Sequence, residues 1–375
     1  MLSRKLKMIA ISALVVTSIT SFSATKTKAY TGIHSTTSFN TRLGGKDRYD
    51  TNIAIADEFT KNNKTDTAIL ASSIDYPDSL SSAPLTKIYN APILLTEKNK
   101  LTPRIEAEMK KLGIKHVIIV GGTGVISDTV NKRLQTLGIT TERLSGSDRY
   151  ATSLAIASRV AQKVIDKNGK LENLLVATSN YTDVLSLAPV SCGLNAPILL
   201  VKADAKKISD VQGLQDFINK YVPKEVKNNP AIFSTYATNT TFELQESLPA
   251  HVSGGGYEDL DKDKYLSNLS INHTFTSILD SSTFVIANGQ NFPDALGGAA
   301  LAGKLQAPIL FVGTDEKNTF NIPVQFGNKV EKTTINASEY EKTLLSEYKQ
   351  QGAGIGIYLL GGTGVVKDNA VSDFR

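Results

Sequence analysis

The chain has 375 residues, with 41 Lys and Arg against 36 Asp and Glu and a single cysteine, Cys192. Five of the cations, Arg4, Lys5, Lys7, Lys26 and Lys28, fall in the first 29 residues with no acid among them, so the remaining 346 residues carry a formal net charge of zero. That balance excludes a general basic field for nucleic acid or a membrane surface, the lone cysteine excludes an intramolecular disulfide, and the length calls for two or three domains.

At the N-terminus, Arg4, Lys5 and Lys7 precede an apolar run from Met8 to Val16 that fades through Thr17, Ser18 and Thr20. This is the layout of a secretory signal peptide, with small residues Thr27 and Ala29 offering a cleavage site before Tyr30. The run is short of the roughly 20 apolar residues a spanning helix needs. Residues 1–29 are therefore expected to be removed on export, leaving a mature chain with no membrane span.

Three blocks then recur in one order. The first is Arg42-Leu43-Gly44-Gly45-Lys46-Asp47-Arg48-Tyr49, which returns 101 residues later as Arg143-Leu144-Ser145-Gly146-Ser147-Asp148-Arg149-Tyr150. A worn third copy ends in Asp263-Lys264-Tyr265. The second block places an aromatic residue two before an aspartate, and a Pro-Ile-Leu-Leu run fourteen after it. Its copies are Tyr76/Asp78 with Pro92, Ile93, Leu94 and Leu95, Tyr181/Asp183 with Pro197, Ile198, Leu199 and Leu200, and Phe292/Asp294 with Pro308, Ile309, Leu310 and Phe311. The third block is an apolar run closed by Gly121-Gly122-Thr123-Gly124 and again by Gly361-Gly362-Thr363-Gly364; in the middle repeat only Ala231-Ile232-Phe233-Ser234-Thr235 stands in its place.

Short apolar runs at 68–71, 93–95 and 117–120 read as buried parallel strands, with amphipathic helices between them. Thr102-Pro103 predicts a helix start and Gly113 its end. The alternation predicts an α/β fold of three tandem doubly wound parallel-sheet modules, at residues 38–140, 141–249 and 250–375, the last cut short. Cys192, between Ser191 and Gly193, reads as a small buried side chain.

The Arg-Leu-x-Gly-x-Asp-Arg-Tyr block, the Pro-Ile-Leu-Leu run and the Gly-Gly-Thr-Gly-Val turn together resemble the clostridial cell-wall-binding repeat 2 family over nearly the whole mature chain. The resemblance implies three repeats packed as an intramolecular pseudo-trimer that hold a surface protein non-covalently on the Gram-positive cell wall. It implies an anionic secondary wall polysaccharide as partner, surface-layer proteins as possible neighbours, and no cofactor. The alternatives are the wall-facing part of a larger adhesin or of a wall-polymer hydrolase.

Arg42, Arg48, Arg143, Arg149 and Lys264 are the candidate polymer contacts, because guanidinium groups hold phosphate bidentately and lysine acts as a point charge. The competing reading has Asp47, Asp148 and Asp263 capping helices while the following cation pairs with Asp78, Asp183 or Asp294 inside its own module. The Pro-Ile-Leu-Leu runs read as core strands. Gly121-Gly122 and Gly361-Gly362 offer backbone N–H groups to an anion. His34, His116, His251 and His273 have no zinc-ligand spacing, and no Gly-x-Ser-x-Gly elbow occurs, so a binding protein rather than an enzyme is expected. The chain stops at Val371-Ser372-Asp373-Phe374-Arg375, inside an expected helix and without a Leu-Pro-x-Thr-Gly motif, which points to a fragment or to a function contained in the repeats.

Overall fold

The computed structural model describes residues 39–224, 232–253, 264–280, 282–290, 292–312, 319–326, 329–336 and 356–367. The signal-peptide segment 1–29, His34, Ala231, Asp263 and Val371–Arg375 lie outside the described residues.

The first repeat runs β1 (Phe39–Leu43), α1 (Arg48–Thr60), β2 (Thr67–Ser72), a 3-10 turn (Pro77–Ser82) continuing as α2 (Ala83–Tyr89), β3 (Ile93–Thr96), α3 (Pro103–Leu112), β4 (His116–Val120) and α4 (Asp128–Thr136). The second runs β5 (Thr140–Leu144), α5 (Arg149–Asn168), β6 (Asn173–Thr178), α6 (Tyr181–Leu194), β7 (Ile198–Val201), α7 (Leu214–Tyr221), β8 (Ser234–Thr238) and α8 (Phe242–Ser247). The third runs β9 (His251–Ser253), α9 (Lys264–Thr274), β10 (Thr283–Asn288), α10 (Phe292–Leu305), β11 (Ile309–Val312), β12 (Thr319–Phe326), β13 (Lys329–Asn336) and β14 (Gly356–Leu360).

Three four-stranded parallel sheets result, ordered β3-β2-β4-β5, β7-β6-β8-β9 and β11-β10-β14-β1. In the first, side chains alternate between two apolar layers as the two-residue period of a strand dictates. Ile69, Ala71, Ile118 and Val120 enter the core shared by all three repeats, while Ala68, Leu70, Val117 and Ile119 pack on Ile105 and Met109 of α3 and Val130 and Leu134 of α4. The doubly wound reading holds. At the start of α3, however, the Thr102 hydroxyl makes no capping bond, and extended backbone at Thr102 and proline at the first helical position suffice.

The Pro-Ile-Leu-Leu runs are edge strands, yet they are buried throughout. An exposed edge would offer unpaired backbone groups, and here side chains of the first helix satisfy them. Asn52 Nδ2 donates to Ile93 O at 2.8 Å and Asn52 Oδ1 accepts from Leu95 N at 3.0 Å. Asn268 repeats both bonds with Ile309 O and Phe311 N, and Ser153 keeps one, with Leu200 N. Asn52→Leu strips two buried backbone groups of their partners and is expected to cost about 3 kcal/mol in urea denaturation. A loss below about 1 kcal/mol would show that the edge is satisfied otherwise.

Each Arg-Leu strand completes the sheet of the repeat before it: β5 pairs with β4, β9 with β8, and β1 crosses the whole chain to pair with β14. Sheet membership is thus offset by one strand from the sequence boundaries at 140/141 and 249/250. At the centre α2, α6 and α10 pack on one another. Cys192 is buried there as expected, its Sγ 3.6 Å from Ala83 O, and a Cβ on Gly303 would come within 2.6 Å of that sulfur. Lys87 Nζ reaches Cys192 O at the end of α6, and Lys304 Nζ reaches Phe59 O at the end of α1, cations meeting helix C-termini across repeats.

Two corrections concern the later repeats. The third block of the middle repeat is β8, Ser234–Thr238, shifted three residues toward the C-terminus from the stretch read from the sequence, and Asn239 with φ +53° occupies the position that Gly121 holds at φ +103°. In the third repeat β12 and β13 form an antiparallel hairpin inserted between β11 and β14, which the repeat pattern did not anticipate. Among the described residues no helix is long and apolar enough to cross a membrane.

Candidate functional site

In each sheet the strand order reverses between its two central strands, so the loops leaving their carboxyl ends part and open a crevice, the usual ligand position in parallel sheets. The second-block aspartates occupy these crevices. Their aromatic partners meet at the pseudo-threefold axis: the Tyr76 ring lies 5.6 Å from that of Tyr181 and 4.5 Å from that of Phe292. The carboxyl ends of all three sheets therefore share one pole.

Asp47 and Asp148 are caps. Asp47 accepts from Tyr49 N and Asp50 N, and Asp148 accepts from Ala151 N. Thr51 Oγ1 and Thr152 Oγ1 add bonds from Gly45 N and Gly146 N at 3.1 and 3.0 Å. Asp47 also pairs with Arg104, which the sequence reading missed; its guanidinium bonds Asp47 Oδ2 at 2.7 Å, reaches Asp50 and sits over the Tyr49 ring. Arg104 holds the Asp47 carboxyl below the usual carboxylate range, with the capping amides helping.

Arg48 and Arg149 do not turn inward to their own module's aspartate, as the sequence reading allowed; they face the neighbouring one. Arg149 lies near Asp78 and Arg48 near Asp294. The cause is the strand offset, which carries the start of each first helix onto the previous sheet. Arg48 Nη1 also donates to Ser73 O. Arg42 Nη1 donates to Gly361 O at 2.8 Å and Arg143 Nη1 to Gly121 O at 2.7 Å, so these two fasten the glycine turns of the preceding repeat. Lys264 Nζ lies 5.1 Å from the centre of the Tyr265 ring.

The glycine turn does hold an anion, but it is the protein's own. Gly122 N–H donates to Asp78, and the φ of +103° at Gly121 together with an Asp78 oxygen 3.1 Å from where its Cβ would stand leaves room for glycine alone. Gly361, at φ +96°, repeats the tight fit: an Asp294 carboxylate oxygen lies 2.7 Å from where its Cβ would stand. In the middle repeat Asn239 Nδ2 donates to Asp183 Oδ2 at 2.5 Å and to Ser267 Oγ at 3.1 Å. Burial raises all three carboxyls. Asp183 is pushed up to about 6 against the bonds from Ser267, Asn239 and Asn180, and Asp294 to about 6 against Arg48. Asp78 is raised by burial and then by Asp75, with Gly122 and Arg149 opposing.

Elsewhere, at the amino ends of the first sheet, Lys64, Asp66, Tyr89, Lys111 and Lys115 help line a cavity of about 760 Å³; no candidate residue borders it.

The profile of the family described as Cell wall binding domain 2 (CWB2) matches residues 42–131, 143–248 and 261–371. The N-acetylmuramoyl-L-alanine amidase LytC of Bacillus subtilis is 27% identical over 281 residues, covering 74% of this chain and 51% of that protein. The Amidase enhancer of the same organism is 28% identical over 275 residues, covering 73% and 35%. The chain thus spans about half of the first relative's length and about a third of the second's. Among solved structures, Cwp6 from Clostridium difficile superposes with a TM-score of 0.65 at 22% identity, covering 88% of this chain and 46% of that one. Cwp8 from Clostridium difficile gives 0.58 at 22%, covering 89% and 51%. At that identity both likenesses speak for the fold.

Proposed function

Because the chain belongs to the cell wall binding domain 2 family, whose modules bind the cell wall, we propose that it anchors a surface protein non-covalently by gripping an anionic secondary wall polymer at the three crevices of one pole. The observation that carries this reading is that a buried carboxyl recurs at all three module junctions and meets a guanidinium from the next repeat at two of them, Arg149 at Asp78 and Arg48 at Asp294. Arg48, Arg149 and Lys264 supply the contacts, and Arg42 and Arg143 add positive potential while fixing the turns. Exposed single ion pairs contribute only about 0 to 1 kcal/mol, so retention comes from several sites on one rigid body. The relative named as an amidase matches over about half its length, which supports reading the shared part as the wall-binding part and this chain as binding rather than catalytic.

Single Arg→Ala changes are therefore expected to weaken binding to purified wall polymer only a few-fold. Arg48→Ala with Arg149→Ala should release the protein from walls and flatten the salt dependence. A double variant with an unchanged circular dichroism spectrum and unchanged affinity would remove these arginines from the binding surface.

A further inference from the structure

Two large apolar side chains stand far out of the described surface, Ile74 at 69% and Phe242 at 70% exposure; the others, Phe39, Leu137 and Ile232, reach no more than 40%. Both outliers leave carboxyl ends of central strands, Ile74 two residues beyond β2 and Phe242 four beyond β8. They therefore rim the pole that holds the crevices, whereas Phe39, Leu137 and Ile232 lie at or just before amino ends of strands.

A single exposed apolar residue needs no explanation, but Phe242 is presented by a fixed turn. Thr241 Oγ1 accepts from Leu244 N at 3.2 Å and donates to Ala205 O at 2.5 Å, which ties the start of α8 to the loop after β7. Leu244 is fully buried, and Gln245 Nε2 donates to Thr240 O at 3.1 Å. The next residue in the chain, Glu243, is exposed and pairs with Lys206 of the loop after β7, Oε1 and Nζ 4.0 Å apart. An exposed aromatic face on a fixed turn, followed in the chain by a carboxylate paired with an ammonium, fits a ring that has one apolar face and a polar rim. A pyranose is such a ring: its C–H face leaves water on stacking, while hydroxyls and acidic substituents remain for the charged neighbours.

We propose that Phe242 is the stacking platform for a sugar ring of the wall polymer, with Lys206 and Glu243 taking its polar rim and Ile74 giving the first module a weaker apolar contact. Phe242 sits on the module whose crevice has Asn239 for the glycine turn and Lys264 for the arginine, so this module grips by the ring face where the other two grip by guanidinium charge. The inference rests on the wall-binding reading and adds to it a second kind of contact, stacking of a sugar ring on Phe242 beside the charged contacts.

The sequence contains no tryptophan, so Phe242→Trp places a unique fluorophore at the site while preserving an aromatic face. Titrated with purified wall polysaccharide freed of peptidoglycan, the full chain carrying Phe242→Trp should bind as the unmodified protein does, with its emission shifted to the blue. Phe242→Ala, at an exposed position that leaves folding intact, should bind roughly tenfold more weakly. That ratio should persist at high salt, where contacts to Arg48 and Arg149 are screened. Unaltered emission together with full affinity of Phe242→Ala would overturn the stacking site and leave the anchor reading standing. Failure of the unmodified chain to bind the polysaccharide would overturn both.

Discussion

Deleting residues 39–43 is expected to cost about 5 kcal/mol or more of folding stability, the largest effect of any change this small in the chain. Strand β1 has five residues, and it is paired in register with Gly356–Leu360. Its backbone bonds contribute on the order of 1 kcal/mol each and buried Leu43 about 2 kcal/mol. Gly361 N donates to Leu43 O at 2.8 Å, the Arg42 guanidinium holds Gly361 O, and the Phe39 ring meets Tyr358 edge-on at 5.3 Å. Without β1 these partners are left open, and the start of α1 loses the strand that brings Arg48 to Asp294. Hydrogen exchange should show β14 amides losing protection while those of β4, which keep β5, retain it. Equal protection of β14 with and without residues 39–43 would mean that the ring does not depend on its closing strand.

This ring closure was not legible in the sequence. The repeats made three modules visible, and equal spacing from aspartate to Pro-Ile-Leu-Leu placed the edge strands correctly, because local pattern dictates buried strands. Which sheet the Arg-Leu strand joins is a non-local choice that no repeat period contains, so the sequence offered the arginines either the polymer or their own module's aspartate, and not the neighbouring one. Asn52 and Asn268 carried a signal that went unread: an asparagine five residues after the first-block aspartate, in two repeats. Asn239 was hidden because it replaces glycine by a different solution, a left-handed asparagine whose side chain does the work of the lost amide. The β12–β13 hairpin could have been found from its alternation around Gly327-Asn328.

The three crevice carboxyls link the fold to pH. Asp183 and Asp294, buried at the module junctions, have folded pKa values of about 6 against an ordinary 3.8. A folded state that holds the proton more tightly than the unfolded chain gains stability when the carboxyl is protonated. The gain is fully present below the unfolded value near 4 and is lost as pH rises through about 6. Two pKa units correspond to about 3 kcal/mol per group, an upper figure because nearby donors and Arg48 accommodate the charge. The unfolding free energy is therefore expected to fall by roughly 2 to 5 kcal/mol between pH 4.5 and 7.5 from these two residues together. Burial lifts Asp183 against hydrogen bonds from Ser267, Asn239 and Asn180, all neutral groups, so Asp183→Asn should keep the neutral form at every pH. That variant should be the more stable protein at pH 7.5, should lose its advantage near pH 4.5, and should show a shallower slope between them. Parallel curves for the variant and the unmodified chain would place the titration elsewhere. At the third module the same proton frees Arg48 from a charged competitor. Wall retention should then tighten as pH falls from 7.5 to 5.5, and a Asp294→Asn variant should already hold at pH 7.5 as firmly as the unmodified protein does at 5.5.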